Sequence, residues 1–275
     1  MTREQKYEAF KSLHERAGTF VIPNPWNAGT AKILTALGFE ALATTSAGYA
    51  FSAGHRDTPA ELTRDEILKN AKDIVEATHL PVSADLQDGF GPSPETCATT
   101  IRLASGIGLA GGSIEDASGD PNAPIYDFEL AVERVAAAAE TAHSRQFLLT
   151  ARAENFLHGR ANLDDTIQRL QSFAEAGADV LYAPGLTSLE AIREVCNAVS
   201  KPVNVLMGFQ GATYSVEQLA AAGVKRISVG GSFARAALGA FIRAAREVKD
   251  KGTFTYAADA ISHTDASAYM TKDSR

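Results

Sequence analysis

Apolar residues recur along the chain in two alternating patterns. Tyr7, Phe10, Leu13 and Ala17 fall at helical spacing, which predicts an N-terminal helix over 4–17 that precedes any strand and covers one end of the fold. Phe20-Val21-Ile22 then reads as a short strand, stopped by Pro23 and Pro25. A helix carrying Ala31, Ile33, Leu34 and Leu37 follows and ends at Gly38. The same strand-helix unit repeats, with further strands predicted over 41–46, 82–86, 111–115, 147–153, 180–183, 203–207 and 226–229.

Local chemistry marks the helix boundaries between those strands. Thr63-Arg64-Asp65-Glu66, Thr187-Ser188-Leu189-Glu190 and Ser215-Val216-Glu217-Gln218 fit a capping box, in which a hydroxyl and an acid or amide satisfy free backbone N–H groups reciprocally. Ser93 before Pro94 is a further cap, with proline at the first helical position. Gly38, Gly177 and Gly223 stand where a helix needs a left-handed residue before the next strand.

Strict strand-helix alternation, with short strands apolar on both faces, predicts a parallel sheet covered by helices. Counting Phe20–Ile22, the repeats make eight strands, which fit a closed (β/α)₈ TIM barrel better than an open doubly wound sheet. The stretch 232–249 carries Phe233, Ala237, Leu238, Phe241, Ala245 and Val248 on one helical face, long enough to pack on the barrel or on a neighbour. Periodicity is lost beyond Gly252. The expected organisation is one barrel domain over 1–254, including this C-terminal helix, and an arm over 255–275 that orders against another subunit or stays mobile.

Composition narrows the function classes. Hydrophobic residues make up 45% and charged residues 21% of the 275 positions, ordinary values for a globular enzyme. Lys and Arg number 26 against 33 Asp and Glu, a formal net charge of −7 with no dense basic run, so neither nucleic acid nor an anionic membrane is an expected partner. Cys97 and Cys196 lack metal-ligand spacing and read as packing residues. The N-terminus has no apolar signal core and no run reaches the ~20 residues of a membrane span, which makes a cytoplasmic location the expectation. Gly106-Ile107-Gly108-Leu109-Ala110-Gly111 matches G-x-G-x-x-G, but it closes a helix and opens a strand, the reverse of a dinucleotide fingerprint.

A (β/α)₈ barrel builds its site at the C-terminal strand ends, and those ends are polar here. Asp85 and Glu115, with Asp88 or Asp116 as further candidates, offer the oxygen ligands that suit Mg²⁺ or Mn²⁺. Arg152 in the same mouth fits a substrate carboxylate or phosphonate, or else an ion pair with Glu115 or Glu154. The turn Thr45-Ser46-Ala47-Gly48 presents backbone N–H groups and a hydroxyl to the other end of an anion. Tyr49, Tyr182, Asn204 and Trp26 are candidate mouth or packing residues, and His55 and His158 read as solvated.

Four stretches together resemble the isocitrate lyase/phosphoenolpyruvate mutase superfamily, in its phosphoenolpyruvate mutase-like subgroup, over roughly 5–250: Pro23 through Gly29; Thr45 through Gly48 with Arg56-Asp57; Asp85 through Gly91; and Ile114-Glu115-Asp116 with Ala151-Arg152. The resemblance implies a barrel enzyme in which Mg²⁺ binds an α-oxo acid or its enolate. By position, Asp85 would ligate the metal and Glu115 would hold its waters. Arg152 and the Ser46 turn would grip the substrate, and Asp57 would contact the metal's outer shell. It also implies a dimer or tetramer that swaps the last barrel helix.

Two departures qualify what the resemblance implies. Gln87 stands where the family has a second acid, with Asp88 one position later. The loop 117–127 after strand four contains no Cys, Lys or His, so the usual acid/base of isocitrate and methylisocitrate lyases is missing. The expected activity is therefore Mg²⁺-dependent C–C cleavage of a small α-oxo or 2-hydroxy di- or tricarboxylic acid, as an oxaloacetate-type decarboxylase or an alkylisocitrate- or malate-type lyase. Phosphonomutase or phosphonopyruvate hydrolase chemistry is the alternative, and a non-catalytic α-oxo acid binding protein is another.

Overall fold

The computed structural model describes residues 1–58, 61–209, 211 and 213–271. Its eight strands, all parallel, are β1 (Phe20–Ile22), β2 (Leu42–Ala43), β3 (Val82–Asp85), β4 (Gly111–Glu115), β5 (Leu148–Arg152), β6 (Val180–Tyr182), β7 (Val203–Leu206) and β8 (Arg226–Ser228), in the order β1-β8-β7-β6-β5-β4-β3-β2. The helices are α1 (Arg3–Glu15), α2 (Ala28–Ala36), α3 (Ser46–Ala53), α4 (Arg64–Ala77), α5 (Pro94–Gly106), α6 (Phe128–His143), α7 (Leu163–Glu175), α8 (Leu189–Ala198), α9 (Val216–Ala221), α10 (Ser232–Lys251) and α11 (His263–Tyr269). This is the expected (β/α)₈ barrel.

The seam between β1 and β2 closes through single contacts rather than a ladder. Ala43 N–H donates to Pro23 O at 3.0 Å, and Asn24 Nδ2 donates to Thr44 O at 2.9 Å. The Asn24 Oδ1 accepts from the Val229 and Gly230 N–H groups, both at 2.9 Å, so one amide ties together the mouth ends of β1, β2 and β8.

Two apolar layers support the sheet. One lies between strands and helices and includes Ile74, Ile101, Leu149, Phe173, Leu181 and Ile192. In the other, Phe10 and Leu13 of α1 pack with Phe20, Ile22, Ala41 and Leu148 and plug the barrel's N-terminal end. Burying each such large side chain contributes about 1.5–3 kcal/mol.

The expected caps form at Thr63, Ser93 and Ser215, and Gly38, Gly177 and Gly223 adopt φ of 86°, 105° and 93°. Three boundaries differ. α1 stops at Glu15 because Arg16 turns extended, which leaves Ala17 exposed. The cap of α8 is Ser188, whose side chain accepts from Ala191 N–H, not Thr187. β2 ends at Ala43 because the Thr45 hydroxyl accepts from Gly48 N–H and starts α3 at Ser46. The small residues of Ser46-Ala47-Gly48 carry little helical periodicity, so α3 was invisible to the pattern.

α10 leaves the barrel with only Ala234 buried; Phe233, Leu238 and Ile242 are exposed and Phe241 is 70% exposed. After Gly252 the chain makes a 3₁₀ turn over Thr255–Ala258 and then α11, and Lys32 on α2 donates to Met270 O at 2.8 Å. Residues 272–275 of the expected arm lie outside the described residues. Among the described residues no helix is long and apolar enough to cross a membrane.

Candidate active site

The strand ends deliver side chains to one mouth. Asp85 closes β3, Glu115 closes β4, Arg152 closes β5 and Tyr182 closes β6. Arg152 Nη1 lies 3.1 Å from Asp85 Oδ1 and 3.0 Å from Glu115 Oε2, while its Nε donates to Glu154 Oε1 at 2.8 Å. The two metal-candidate carboxylates thus converge on a single cationic atom. The guanidinium carbon sits 5.1 Å from the centre of the Tyr182 ring, a cation–π contact on its other side.

Asp85 is oriented from several directions. Ser46 Oγ donates to its Oδ2 at 2.7 Å and Ser46 N–H reaches the same oxygen at 3.2 Å. The Thr44 hydroxyl accepts the Asp85 N–H at 3.0 Å. The Thr45-to-Gly48 turn is therefore the start of α3, with one N–H and one hydroxyl already turned to a carboxylate. Gly48 is tightly placed: a Cβ there would meet Thr45 Cγ2 at 2.7 Å and Trp26 Cβ at 3.0 Å.

The mouth opens into two connected cavities that share Ser46, Asp57, Asp85 and Arg152. An inner one of about 450 Å³ reaches down to Ala47, Tyr182, Asn204, Arg226 and Ser228. An outer one of about 1000 Å³ is lined by Gln87, Glu115, Ser118, Glu154 and His158, among others.

Electrostatics in the mouth are dominated by crowded acids. Burial raises the Glu115 carboxyl well above the ordinary glutamate range, opposed by Arg152 and reinforced by Glu154 and Asp85. Burial works against the Arg152 charge, but Glu115, Glu154 and Asp85 hold the guanidinium firmly protonated. Partial burial, with Asp85 nearby, raises the Asp57 carboxyl even though the residue as a whole is exposed at the rim. Burial also raises Tyr182, which stays a phenol.

The other sequence candidates separate. Asp116 is turned away from the mouth, accepting from Glu154 N–H at 2.8 Å and pairing with Arg169 at 3.1 Å, so it is no metal ligand candidate. Asp88 accepts from Tyr126 OH at 3.2 Å and from Phe90 N–H at 2.9 Å, which commits both its oxygens to the loop. His55 pairs with Glu61 at the surface, whereas His158 lines the outer cavity. Trp26 and Tyr49 line neither cavity; Tyr49 packs on the core and Trp26 packs behind Gly48.

The loop after β3 is held in a costly shape. Gln87 and Phe90 have φ of 50° and 66°, left-handed values that side chains other than glycine disfavour. The buried Arg134 of α6 donates to Gly91 O at 2.5 Å and to Asp88 O, and its guanidinium lies 4.1 Å from the Tyr126 ring centre. In the loop after β4, Ala117 and Ile125 form an isolated antiparallel bridge.

Asn24 and Arg226 escaped the sequence reading. Asn24 entered only as part of the Pro23–Gly29 stretch, with no role of its own, and Arg226 opened a strand whose end alone was searched for chemistry. An arginine within a buried strand was the available signal. Among the described residues no group of three or more His, Cys, Asp or Glu side chains is arranged to hold a metal ion. Asp85 and Glu115 form a pair, and a pair fits a hard cation that keeps several of its waters.

The family model described as phosphoenolpyruvate phosphomutase matches residues 10–249. An uncharacterized protein of Mycobacterium tuberculosis is 30% identical, with 88% of this chain and 89% of that protein covered. The 2-methylisocitrate lyase of Escherichia coli is 29% identical, covering 79% of this chain and 75% of the enzyme. A crystal structure from Burkholderia cenocepacia, described as a candidate lyase/mutase, superposes with a TM-score of 0.96 at 55% identity, covering 98% of this chain and 97% of that one. The chain thus belongs to the phosphoenolpyruvate phosphomutase family.

Proposed function

We propose that the protein is a Mg²⁺-dependent lyase that cleaves a C–C bond of a small α-oxo or 2-hydroxy di- or tricarboxylic acid through an enolate. The observation that carries this reading is the convergence of Asp85 and Glu115 on one atom of Arg152, beside the Ser46 hydroxyl. Five carboxylates, Asp57, Asp85, Asp88, Glu115 and Glu154, line the outer cavity against two arginines, Arg64 and Arg152, an excess of negative charge that suits a divalent cation. Asp85 and Glu115 would hold it. When bound, Mg²⁺, or Mn²⁺ in its place, supplies Lewis-acid polarisation of the α-oxo oxygen.

The remaining tasks fall to side chains. Arg152, its Nε fixed by Glu154 and its plane backed by Tyr182, orients a substrate carboxylate. Ser46, Ala47 and Gly48 bring the start of α3 to the other end of the anion, and Thr45 fixes that start as its cap. Asp57, with its raised carboxyl, holds a proton at the rim at a higher pH than an ordinary aspartate, and a water or the Ser118 hydroxyl can return one to the product. Asn204 lines the inner wall. The exposed apolar residues of α10 support a homo-oligomer in which this helix packs on a partner.

A panel of oxaloacetate, 2-methylisocitrate, 2-alkylmalates and phosphonopyruvate with Mg²⁺ tests the proposal. Pyruvate or oxo-acid release that chelator abolishes is the expected result. Phosphate or phosphoenolpyruvate from phosphonopyruvate alone would move the chemistry to the P–C bond. Binding without turnover across the panel would leave an α-oxo acid binding protein.

A further inference from the structure

Below the mouth, at the floor of the inner cavity, the Arg226 guanidinium is held entirely by neutral groups. Its Nε donates to Asn204 Oδ1 at 2.8 Å, its Nη2 to Thr150 Oγ1 at 3.0 Å and its Nη1 to His14 Nε2 at 3.3 Å. The residue is only 5% exposed, and none of the ion pairs among the described residues includes it. His14 cannot balance the charge. Its Nδ1–H is turned to Phe10 O at 2.8 Å, which leaves Nε2 as an acceptor, and burial with Arg226 alongside lowers the imidazole to about 3.

A buried cation satisfied only by neutral acceptors is an expensive feature unless an anion joins it. A guanidinium has five N–H donors, and three are committed in these bonds. Space is available as well. Ala43, Ser83 and Ser113, small residues on β2, β3 and β4, line the same cavity as Arg226. The acids that crowd the mouth do not reach this level: of the carboxylates, only Asp57 and Asp85 line the inner cavity, and both belong to its upper rim. Thr150, which receives Arg226, lies two residues before Arg152 on β5, so the Arg226 guanidinium meets that strand ~6–7 Å of backbone below the residue that carries the mouth guanidinium.

We propose that Arg226 is an anion-binding floor that takes one carboxylate of a short dicarboxylic acid whose other end is held at the mouth by Arg152. This deepens the lyase reading by naming the residue that binds the second carboxylate, and it rests on that reading for the position of the upper one. Arg226 touches the distal end of the ligand, away from the reacting bond, and selects diacids over monoacids.

Calorimetry on the full chain with Mg²⁺ tests this, using malonate and succinate against propanoate and butanoate, and following binding rather than turnover. The wild type is expected to prefer the diacid over the monoacid of equal chain length by ~10-fold or more, the scale of a charge-assisted hydrogen bond pair. Arg226→Gln should erase that preference and leave pyruvate binding unchanged. Should Arg226→Gln fail to fold, Ser113→Leu, which fills the cavity that Arg226 lines, should block the diacid and spare the monoacid. No diacid preference in the wild type, a preference that survives either substitution, or sulfate binding as tightly as succinate with the same dependence on Arg226 would each overturn the assignment. Binding and product release are read separately, so a failed diacid preference leaves the lyase reading standing, and a failed turnover assay leaves the floor site standing.

Discussion

Ser46 Oγ donates to Asp85 Oδ2 at 2.7 Å, which leaves Asp85 Oδ1 as the oxygen facing Arg152 and Glu115. The hydroxyl therefore selects which carboxylate oxygen serves the centre of the mouth. Ser46→Ala should raise the Mg²⁺ concentration needed for half-maximal turnover by ~10-fold, the scale of a hydrogen bond to a charged group. A magnesium titration of turnover reads this directly, and an unchanged midpoint counts against the assignment.

Asp85→Ala should abolish metal-dependent activity while lowering stability by only ~1–3 kcal/mol, since what it leaves behind is Ser46 and part of Arg152 short of an acceptor. Urea unfolding and the product assay together separate the two effects. Full activity in this variant would place the metal elsewhere.

His14 gives a pH dependence with a definite sign. Its ordinary value is 6.5, and burial with Arg226 beside it lowers it to about 3. Between those values the unfolded chain binds a proton that the folded chain does not, so this group's contribution to stability is fully present above ~6.5 and is lost as the pH falls toward 3. The slope is ~1.4 kcal/mol per pH unit inside that window. His14→Gln should remove this component, and the difference between the two proteins' unfolding midpoints at pH 4, 5, 6 and 7.5 measures it.

Gly48→Ala should lower stability by ~1–3 kcal/mol through overpacking, because the new methyl meets Thr45 and Trp26 and, at 3.3 Å, Ala234 at the start of α10. It should also weaken substrate binding, since α3 would have to shift away from Asp85. Thermal unfolding and a KM comparison test the two effects, and a variant as stable as the wild type would show that α3 yields easily.

The barrel was legible because its information is local. Capping residues, terminal glycines and apolar runs each fix a piece of backbone without reference to the rest of the chain. Asp85, Glu115 and Arg152 were legible for a related reason, since each is the last residue of its strand and lines the mouth. Asp116 misled because neighbours on one strand end point to opposite sides: Glu115 faces the cavity, and Asp116 turns to Arg169 on α7. Arg226 was hidden because its surroundings, Thr150, Asn204 and His14, come from three distant segments that only the closed barrel brings together. α3 was hidden because small residues leave no hydrophobic signature.

The Arg134 guanidinium grips two carbonyls of the loop after β3 and lies against Tyr126, which in turn donates to Asp88. Those contacts tie the rim from Asp85 to Gly91 to Tyr126, and the bridge between the buried Ala117 and Ile125 anchors both ends of the exposed turn 119–123. Ser118 and Gly119 at its base line the outer cavity. A change of length or composition within 119–123 should therefore reshape the entrance to the mouth while the floor and walls of the cavity stay as they are.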